Sequence, residues 1–175
     1  MKSSQRILVF TGDGKGKTTA ALGMALRAAG HSMPTLIVQF IKSGDSTGEL
    51  AALRSLNGIT VRQVGLGFVP NPASPGFSAH REAALRGLQA AAEALASGRY
   101  RMVILDEICT AAAKDLLPEA SVIAAVKSAS RDCVVVLTGR GADKGLIELA
   151  DTVTEMRCVK HGHQHGVKAQ EGVEF

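Results

Sequence analysis

A glycine-rich run near the N-terminus combines residue types that bind phosphate. The run Thr11-Gly-Asp-Gly-Lys-Gly-Lys-Thr-Thr19 separates a short apolar segment from a segment with helical spacing. Three glycines let backbone N–H groups approach phosphate oxygens without Cβ interference: Gly12, Gly14 and Gly16. Lys17 can reach the terminal phosphates of a nucleotide, and the Thr18 hydroxyl suits Mg²⁺. The run therefore predicts a P-loop, reinforced by the partial positive charge of the following helix N-terminus.

The loop departs from the usual P-loop spacing at one position. The pattern has glycine where this chain has Thr11, and the glycine falls one place later, at Gly12. Lys15 either supplements Lys17 at the phosphates or faces water. A glycine-rich turn with incidental lysines is the alternative, and the coincidence of strand, Gly-Lys-Thr and helix disfavours it. The motif indicates nucleotide binding and leaves the reaction open.

Two carboxylates follow the apolar run that begins at Met102. They are Asp106 and Glu107. An apolar strand that ends in carboxylates places acids beside the phosphate loop, where they hold Mg²⁺ or its waters. A solvated strand end is the alternative for these residues taken alone. Together with the P-loop they predict a magnesium site formed by Thr18, Asp106 and Glu107.

Two further groups of candidates carry weaker signals. Arg140 follows an apolar run, so it lies at the strand edge where ligands bind in open α/β sheets. It either contacts phosphate or is a surface arginine. His161, His163 and His165 alternate near the C-terminus. A solvated tail is favoured over a metal site for them, because no Cys or acid cluster adjoins them.

Apolar runs alternate with helix-spaced segments along the whole chain. The runs that predict strands are 6–10, 35–40, 59–64, 102–106, 133–138 and 152–156. The segments that predict helices are 17–29, 47–56, 78–96, 108–117, 119–129 and 144–150, with Ser78 as the N-cap of the longest. Unbroken apolar strands are typical of a parallel sheet covered on both faces. The prediction is an α/β, P-loop NTPase-like fold, with a mostly parallel six-stranded sheet and helices on both faces.

Length and composition fit one nucleotide-binding domain. The chain has 175 residues, 46% of them hydrophobic, and no internal repeat or linker is visible. We expect a single domain over 1–175 with a polar tail from about residue 157. The segment 65–76 holds three glycines and three prolines, which predicts a long and functional loop.

Several classes of protein are disfavoured. Aromatic residues make up only 3% of the chain, which argues against a stacking platform for single-stranded nucleic acid. The net charge of +4 suits an anionic ligand without a basic stripe for DNA or RNA. A signal-peptide core and an apolar run of membrane-spanning length are both missing, so we expect a cytoplasmic protein without a membrane partner. Three widely spaced cysteines predict buried free thiols in a reducing compartment: Cys109, Cys133 and Cys158.

The variant loop resembles that of the P-loop type of ATP:corrinoid adenosyltransferase, and further motifs support the resemblance over nearly the whole chain. The C-terminal motif is more specific than the P-loop. The matching stretches are Ala21-Leu-Gly-Met-Ala-Leu-Arg27, Val38-Gln-Phe-Ile-Lys42, Gly65-Leu-Gly-Phe68, Leu105-Asp-Glu107, Leu137-Thr-Gly-Arg-Gly141, Glu148-Leu-Ala-Asp-Thr-Val-Thr-Glu-Met-Arg157, Val159-Lys-His161 and Lys168-Ala-Gln-Glu-Gly-Val-Glu-Phe175.

The resemblance implies a reaction and a site. The family transfers the 5′-deoxyadenosyl group of ATP to the Co(I) of a corrinoid and releases triphosphate. It implies a homodimer, and ATP held in a reversed sense with its terminal phosphate in the loop. A reductase or flavodoxin that supplies Co(I) is compatible with this chemistry. Carried over by position, Thr18 and Glu107 ligate Mg²⁺, Arg27 contacts ATP and Phe68 lies on the corrinoid side. The nucleotide site then comprises Gly12, Asp13, Gly14, Lys15, Gly16, Lys17, Thr18 and Thr19.

The chain departs from the family pattern in the 65–76 loop. Family members usually carry Gly-Phe-Thr-Trp, whose Trp helps to displace the lower axial ligand of the corrinoid. Here the stretch is Gly67-Phe68-Val69-Pro70, and the chain has no Trp. We therefore expect a heavier reliance on Phe68, or a preference for corrinoids with a weakly held or absent lower base, such as cobinamide. The alternative is that Phe68 merely anchors the loop to the core.

Two other functions remain open on the sequence alone. One is a P-loop phosphotransferase or ATPase that attacks the γ-phosphate, which needs a base or a water-positioning residue. The other is a non-catalytic carrier of a corrinoid or nucleotide. Attack by Co(I) at C5′ needs no general base, and the sequence offers no obvious Ser-His-Asp or Cys-His set. The residues therefore agree with adenosyl transfer, and the reaction products distinguish it from the alternatives.

Overall fold

The computed structural model describes residues 5–44 and 48–173, without the side chain of His163. The strands are Arg6–Thr11 (β1), Thr35–Gln39 (β2), Ile59–Gln63 (β3), Met102–Asp106 (β4), Val134–Thr138 (β5) and Thr152–Glu155 (β6). The helices are Lys17–Gly30 (α1), Gly48–Arg54 (α2), Phe77–Ala96 (α3), Ile108–Ala113 (α4), Glu119–Lys127 (α5) and Lys144–Leu149 (α6). A short 3₁₀ helix, Gly162–His165, lies in the C-terminal segment.

The described strands form one sheet in the order β3-β2-β4-β5-β1-β6, and every neighbouring pair is parallel. This confirms the predicted α/β fold with a six-stranded parallel sheet. All six strands therefore bring their carboxyl ends to one edge, and each ends in a polar residue: Thr11, Gln39, Gln63, Asp106, Thr138 and Glu155. Ligands of open α/β sheets bind outside this edge.

Helices cover both faces of the sheet, as predicted. On one face, Ala21 and Ala25 of α1 pack with Ile37 and Ile104. The opposite face carries the larger core, in which Leu88 belongs to α3 and Val126 to α5. Successive residues of a strand point to opposite faces of the sheet, and helices cover both faces. Residues of β2 and β4 that point to either face therefore meet a core and are apolar. This is why they appear in the sequence as unbroken apolar runs.

Several element ends differ from the prediction. The longest helix begins at Phe77, so Ser78 is not its N-cap, and the Ser78 hydroxyl instead donates to the Pro75 carbonyl (3.4 Å). The fourth helix ends at Ala113, because Asp115 adopts a left-handed conformation (φ 58°). Thr47, at the predicted start of the second helix, lies outside the described residues.

The three cysteines do not share one environment. Cys109 and Cys133 are buried free thiols, as predicted, whereas Cys158 is free but exposed. Burial raises the pKa of the Cys109 thiol to about 12, with the charge of Glu107 adding to the shift. Burial likewise raises the pKa of Cys133 to about 11. The prediction of a buried thiol was therefore wrong for Cys158, which lies beyond the last strand.

Candidate active site

The glycine-rich loop joins β1 to α1 and is held against the chain that follows β6. The Gly14 N–H donates to the Met156 carbonyl (2.6 Å), and the Met156 N–H donates to the Thr11 carbonyl (2.8 Å). Gly12 has φ 92°, and a Cβ there would lie 2.4 Å from the Met156 carbonyl oxygen. Gly12 is therefore required by close packing as well as by its conformation.

Thr11 explains the variant spacing of the loop. It is the last residue of β1, its side chain is buried, and its Oγ1 accepts the Ala142 N–H (3.2 Å). A side chain at this position thus ties β1 to the segment after β5. The glycine that the loop needs comes one position later, where Met156 approaches the backbone.

Lys17 lies inside the loop at the first residue of α1. It is buried, and its Nζ donates to the carbonyls of Gly12 and Gly14 (2.7 Å each). Burial lowers the pKa of Lys17, and the neighbouring charge of Arg140 lowers it further, while Glu107 and Asp13 act in the opposite direction. Two cations thus share the site, and a polyanionic ligand would stabilise both.

Asp106 is the centre of the hydrogen bonds at the sheet edge. It is fully buried at the end of β4. Its Oδ1 accepts the hydroxyls of Thr18 and Thr138 (2.8 Å each), and its Oδ2 accepts the Gln39 amide (3.2 Å). Because Thr18 donates its hydroxyl proton to Asp106, the lone pairs of Thr18 Oγ1 remain available to a cation.

Glu107 is held in an unusual backbone conformation at the start of α4. Its φ is 62°, and its N–H donates to Thr138 Oγ1 (2.9 Å). Its Oε2 accepts the Thr110 hydroxyl, and Thr110 Oγ1 in turn accepts the Arg140 N–H (2.9 Å). A left-handed glutamate costs about 1–2 kcal/mol. The neighbouring hydrogen bonds stabilise this conformation and fix the carboxylate beside the loop.

The donor set fits Mg²⁺ bound together with a nucleotide. Thr18 and Glu107 supply hard oxygen ligands, and Asp106 orients Thr18 from below. Within the described part of the chain, His, Cys, Asp and Glu side chains form no group of three that would hold a metal by themselves. Mg²⁺ typically binds through one or two carboxylates plus substrate phosphates, and this site has that composition.

A cavity of about 900 Å³ opens at this edge and has two chemically different sides. Its polar end is formed by the glycine-rich loop, Glu107, Thr110 and Arg140. Its apolar wall comes from α1 and from α2 and the residues after it, including Leu22 and Leu53. Such a cavity has room for a nucleotide, with a polar loop to receive its phosphates and apolar side chains of α1 and α2 to receive its base.

The cavity brings together most of the predicted nucleotide-site residues. Those that line it are Asp13, Gly14, Lys15, Gly16, Lys17, Thr18, Thr19, Glu107 and Arg140. Gly12 and Asp106 are outside the lining but are hydrogen-bonded to lining residues, Lys17 and Thr18 respectively. Arg27 is exposed in the last turn of α1 and is not among the lining residues. Its contact with ATP stays a prediction.

Phe68 lies on the surface of the 65–76 loop, which has no regular secondary structure, as predicted. Its side chain is 91% exposed, whereas the neighbouring Val69 is buried in the core. Val69 therefore anchors the loop, and the alternative that Phe68 does so is wrong. Leu66 is also exposed, so the loop presents two apolar side chains to solvent.

The C-terminal segment returns to the cavity, which the sequence reading did not foresee. His161, Gly172 and Val173 line it, although most of the segment is exposed. A wholly solvated tail was therefore wrong for His161. His165 is exposed and does not line the cavity.

Other site residues were missed altogether. Lys42 and Glu49 line the cavity and form an ion pair (2.8 Å) between the end of β2 and α2. Thr110 follows Glu107 by one helical turn, a spacing that identifies a partner on the same face. Gln39 and Thr138 each end a buried strand, the same signal that identified Asp106.

Comparison with known proteins decides the family. The family described as ATP:corrinoid adenosyltransferase BtuR/CobO/CobP matches residues 3–175. The chain belongs to this family. A corrinoid adenosyltransferase of Escherichia coli (strain K12) is 42% identical over 173 residues, covering 97% of this chain and 85% of that protein. A corrinoid adenosyltransferase of Pseudomonas aeruginosa is 43% identical over 171 residues, covering 97% of this chain and 83% of that protein.

Membership of the adenosyltransferase family makes the chain an enzyme and confirms the resemblance found in the sequence. It also disfavours the phosphotransferase and ATPase alternative. None of the helices in residues 5–44 and 48–173 is both long enough and apolar enough to cross a bilayer.

Proposed function

We propose that this adenosyltransferase moves the 5′-deoxyadenosyl group of ATP onto the Co(I) of a corrinoid and releases triphosphate. One observation carries the proposal: in a chain of this family, Lys17, Thr18 and Glu107 line the polar end of a single cavity that also has an apolar wall. The polar end suits a triphosphate with Mg²⁺. The apolar wall suits the adenosine moiety of ATP.

The transfer needs stabilisation of a leaving group more than it needs a base. The electron pair of Co(I) forms the bond to C5′, and the pair of the breaking C5′–O bond departs with the triphosphate. Lys17, Arg140 and the loop N–H groups, which lie at the polar end of the cavity, are the groups proposed to stabilise the charge that develops on the triphosphate. Because Co(I) carries no proton, no general base is required.

Thr18 and Glu107 are the residues proposed to hold Mg²⁺, with Asp106 orienting Thr18. The metal, when bound, neutralises part of the phosphate charge and favours departure of the triphosphate. Asp106 keeps the Thr18 hydroxyl turned so that its lone pairs face away from the carboxylate. The Thr110 hydroxyl holds the Glu107 carboxylate in place at the polar end of the cavity.

The proposed orientation of ATP is the one that the family resemblance implies, and the two sides of the cavity are compatible with it. With the terminal phosphate in the loop, the adenosine moiety lies along α1 and α2, and C5′ is presented toward the corrinoid. The exposed pair Leu66 and Phe68 is proposed to face the corrin ring, because a flat apolar surface excludes water and a returning lower ligand. Arg27 is retained as a candidate ATP contact.

The assembly and setting of the enzyme are also proposed. The family resemblance implies a homodimer, and a reductase or flavodoxin that delivers Co(I) fits the chemistry. Co(I) is readily oxidised, and the chain carries three free thiols, so a reducing cytoplasm suits both the reaction and the protein. Nucleic acid and membrane partners have no place in this reaction.

Formation of the cobalt–carbon bond tests the proposed function. The protein is incubated with ATP, Mg²⁺ and a chemically reduced corrinoid, and a light-sensitive alkylcobalt product is sought. We expect wild-type turnover, and a loss of roughly 10²–10³-fold for Lys17→Ala because one charged stabilising contact is removed. Lys127→Ala, an exposed lysine on α5, is the matched control and should keep wild-type activity. Tight binding of ATP and corrinoid without product would refute the proposal and favour a carrier.

A further inference from the structure

A buried amide lies between the two halves of the proposed site. Gln39 is the last residue of β2 and is 1% exposed. Its Nε2 donates to Asp106 Oδ2 (3.2 Å), and its Oε1 accepts from Gln63 Nε2 (3.0 Å). Because a carboxylate accepts and does not donate, the Gln39 amide nitrogen must face Asp106, which turns its carbonyl oxygen toward Gln63. Asp106 therefore fixes the orientation of both the amide nitrogen and the amide oxygen of Gln39.

The backbone of the same residue fastens the start of the 65–76 loop. The Gln39 carbonyl accepts the N–H groups of Val64 (3.0 Å) and Gly65 (3.2 Å). Gly65 packs so closely that a Cβ would lie 2.4 Å from the backbone of Ile41, and the Gly67 N–H donates to the Ile41 carbonyl (2.8 Å). The loop that presents Phe68 is thus built directly on the end of β2.

We propose that Gln39 is a positioning residue shared by two parts of the site. One is the polar end of the cavity, proposed to hold Mg²⁺ and triphosphate, and the other is the 65–76 loop, called here the corrinoid loop. Its amide holds Asp106, which orients Thr18, and through Gln63 it holds the end of β3 from which the corrinoid loop departs. One residue thereby sets the distance between the leaving group and the loop that faces the acceptor. A reaction between two bound substrates depends on this distance. The inference rests on the proposed function.

The test separates the two halves by their kinetic constants. Gln39→Met keeps the length of the side chain and removes the amide. With Co(I)-cobinamide as the corrinoid probe, we expect the MgCl₂ concentration for half-maximal rate and the cobinamide KM to rise together, each by about three- to tenfold, the effect of one lost hydrogen bond. Gln63→Met removes only the outer bond, so the cobinamide KM alone should rise, by about threefold.

Two comparisons make the result decisive. Thr60→Val changes an exposed residue of β3 and should leave both constants unchanged. A change in the MgCl₂ requirement alone for Gln39→Met would overturn the inference, because the residue would then only support Asp106. If Gln39→Met does not fold, Gln63→Met decides: a raised cobinamide KM supports the inference and an unchanged KM overturns it. Failure of the wild-type enzyme to form a cobalt–carbon bond would instead refute the proposed function.

Discussion

The Thr18 hydroxyl donates a 2.8 Å hydrogen bond to Asp106 Oδ1, joining the start of α1 to the end of β4. Asp106 is fully buried, and the same oxygen accepts the Thr138 hydroxyl. The carboxylate is therefore shielded from solvent and is placed to orient Thr18, the proposed Mg²⁺ ligand. The predicted magnesium role of Asp106 becomes an indirect one in this account.

Asp106→Asn tests that indirect role. The amide keeps the shape of the side chain and one oxygen that can accept the two hydroxyls, but it loses the negative charge that strengthens those hydrogen bonds. We expect the Mg²⁺ requirement of the reaction to rise by roughly tenfold or more, because hydrogen bonds to charged groups are the stronger class. A Mg²⁺ titration of the reaction rate checks this, with the exposed Asp132→Asn as control. An unchanged titration would remove Asp106 from the metal site.

Glu107→Gln should have a sharper effect on the metal. The substitution keeps an oxygen that can accept the Thr110 hydroxyl, so the fold should remain intact, while the charge that attracts Mg²⁺ is lost. The measurement is the Mg²⁺ dependence of turnover together with the melting temperature. Glu82→Gln, on the exposed surface of α3, controls for a general loss of negative charge. Equal Mg²⁺ curves for Glu107→Gln and wild type would favour the solvated strand-end interpretation.

Lys17 should make ATP affinity depend on pH. Its pKa is lowered from the ordinary value of 10.5 by burial and by Arg140, so the free enzyme loses this proton at a lower pH than the unfolded chain does. The contribution of Lys17 to stability therefore rises with pH between the lowered pKa and 10.5. Bound triphosphate favours the charged lysine, so ATP affinity should fall as the pH rises through the lowered pKa.

Calorimetry in buffers of different ionisation enthalpy measures the predicted proton uptake on ATP binding. Lys17→Met should bind ATP more weakly and should lose the alkaline decline, because no group at that position then titrates. An alkaline decline that persists unchanged in Lys17→Met would assign it to another residue.

Phe68→Ala should separate corrinoid turnover from stability. Because the ring is 91% exposed, we expect the free energy of unfolding to change by less than about 0.5 kcal/mol. Corrinoid turnover should fall far more than ATP affinity. Val69→Ala is the contrasting neighbour: it truncates a buried side chain and should destabilise the protein by roughly 1–3 kcal/mol. Equal losses of ATP binding and corrinoid turnover for Phe68→Ala would contradict the corrinoid role.

The missing Trp predicts a substrate preference. Pro70 stands at the position where the family pattern has Trp. The loop therefore offers less apolar surface for displacing the lower ligand of a corrinoid. Cobinamide-like substrates should therefore give a higher kcat/KM than cobalamin. Side-by-side kinetics with the two chemically reduced corrinoids measure this. A clear preference for cobalamin would contradict the predicted effect of the missing Trp.

The sequence was sufficient for the fold and for the core of the phosphate site. Unbroken apolar strands alternating with helical segments predict a parallel sheet, because only a sheet covered on both faces needs apolar residues at successive positions. The glycine-rich run and Asp106 can be recognised from the local sequence alone, because the run directly follows a predicted strand and Asp106 ends one. Their partners Gln39 and Thr138 are visible as polar strand ends, but only the strand order reveals that they converge on Asp106.

Other features depended on tertiary packing. The return of His161 to the cavity follows from the path of the segment after β6, which no local periodicity encodes. The contrast between exposed Phe68 and buried Val69 likewise arises where the loop meets the core, and a lone aromatic in a proline-rich stretch does not predict it. The start of α3 at Phe77 differs from the cap pattern at Ser78 because the Ser78 hydroxyl bonds the preceding turn.

The fate of the terminal phosphate tests the central claim most directly. ATP labelled in that phosphate is turned over with Mg²⁺ and a reduced corrinoid, and the phosphorus products are separated. Formation of the alkylcobalt product is monitored in parallel through its sensitivity to light. Since the loop is proposed to hold a leaving group, the label should appear in triphosphate, with one triphosphate for each cobalt–carbon bond. Label in orthophosphate or in a phosphorylated acceptor, with ADP as the nucleotide product and no alkylcobalt, would contradict the account.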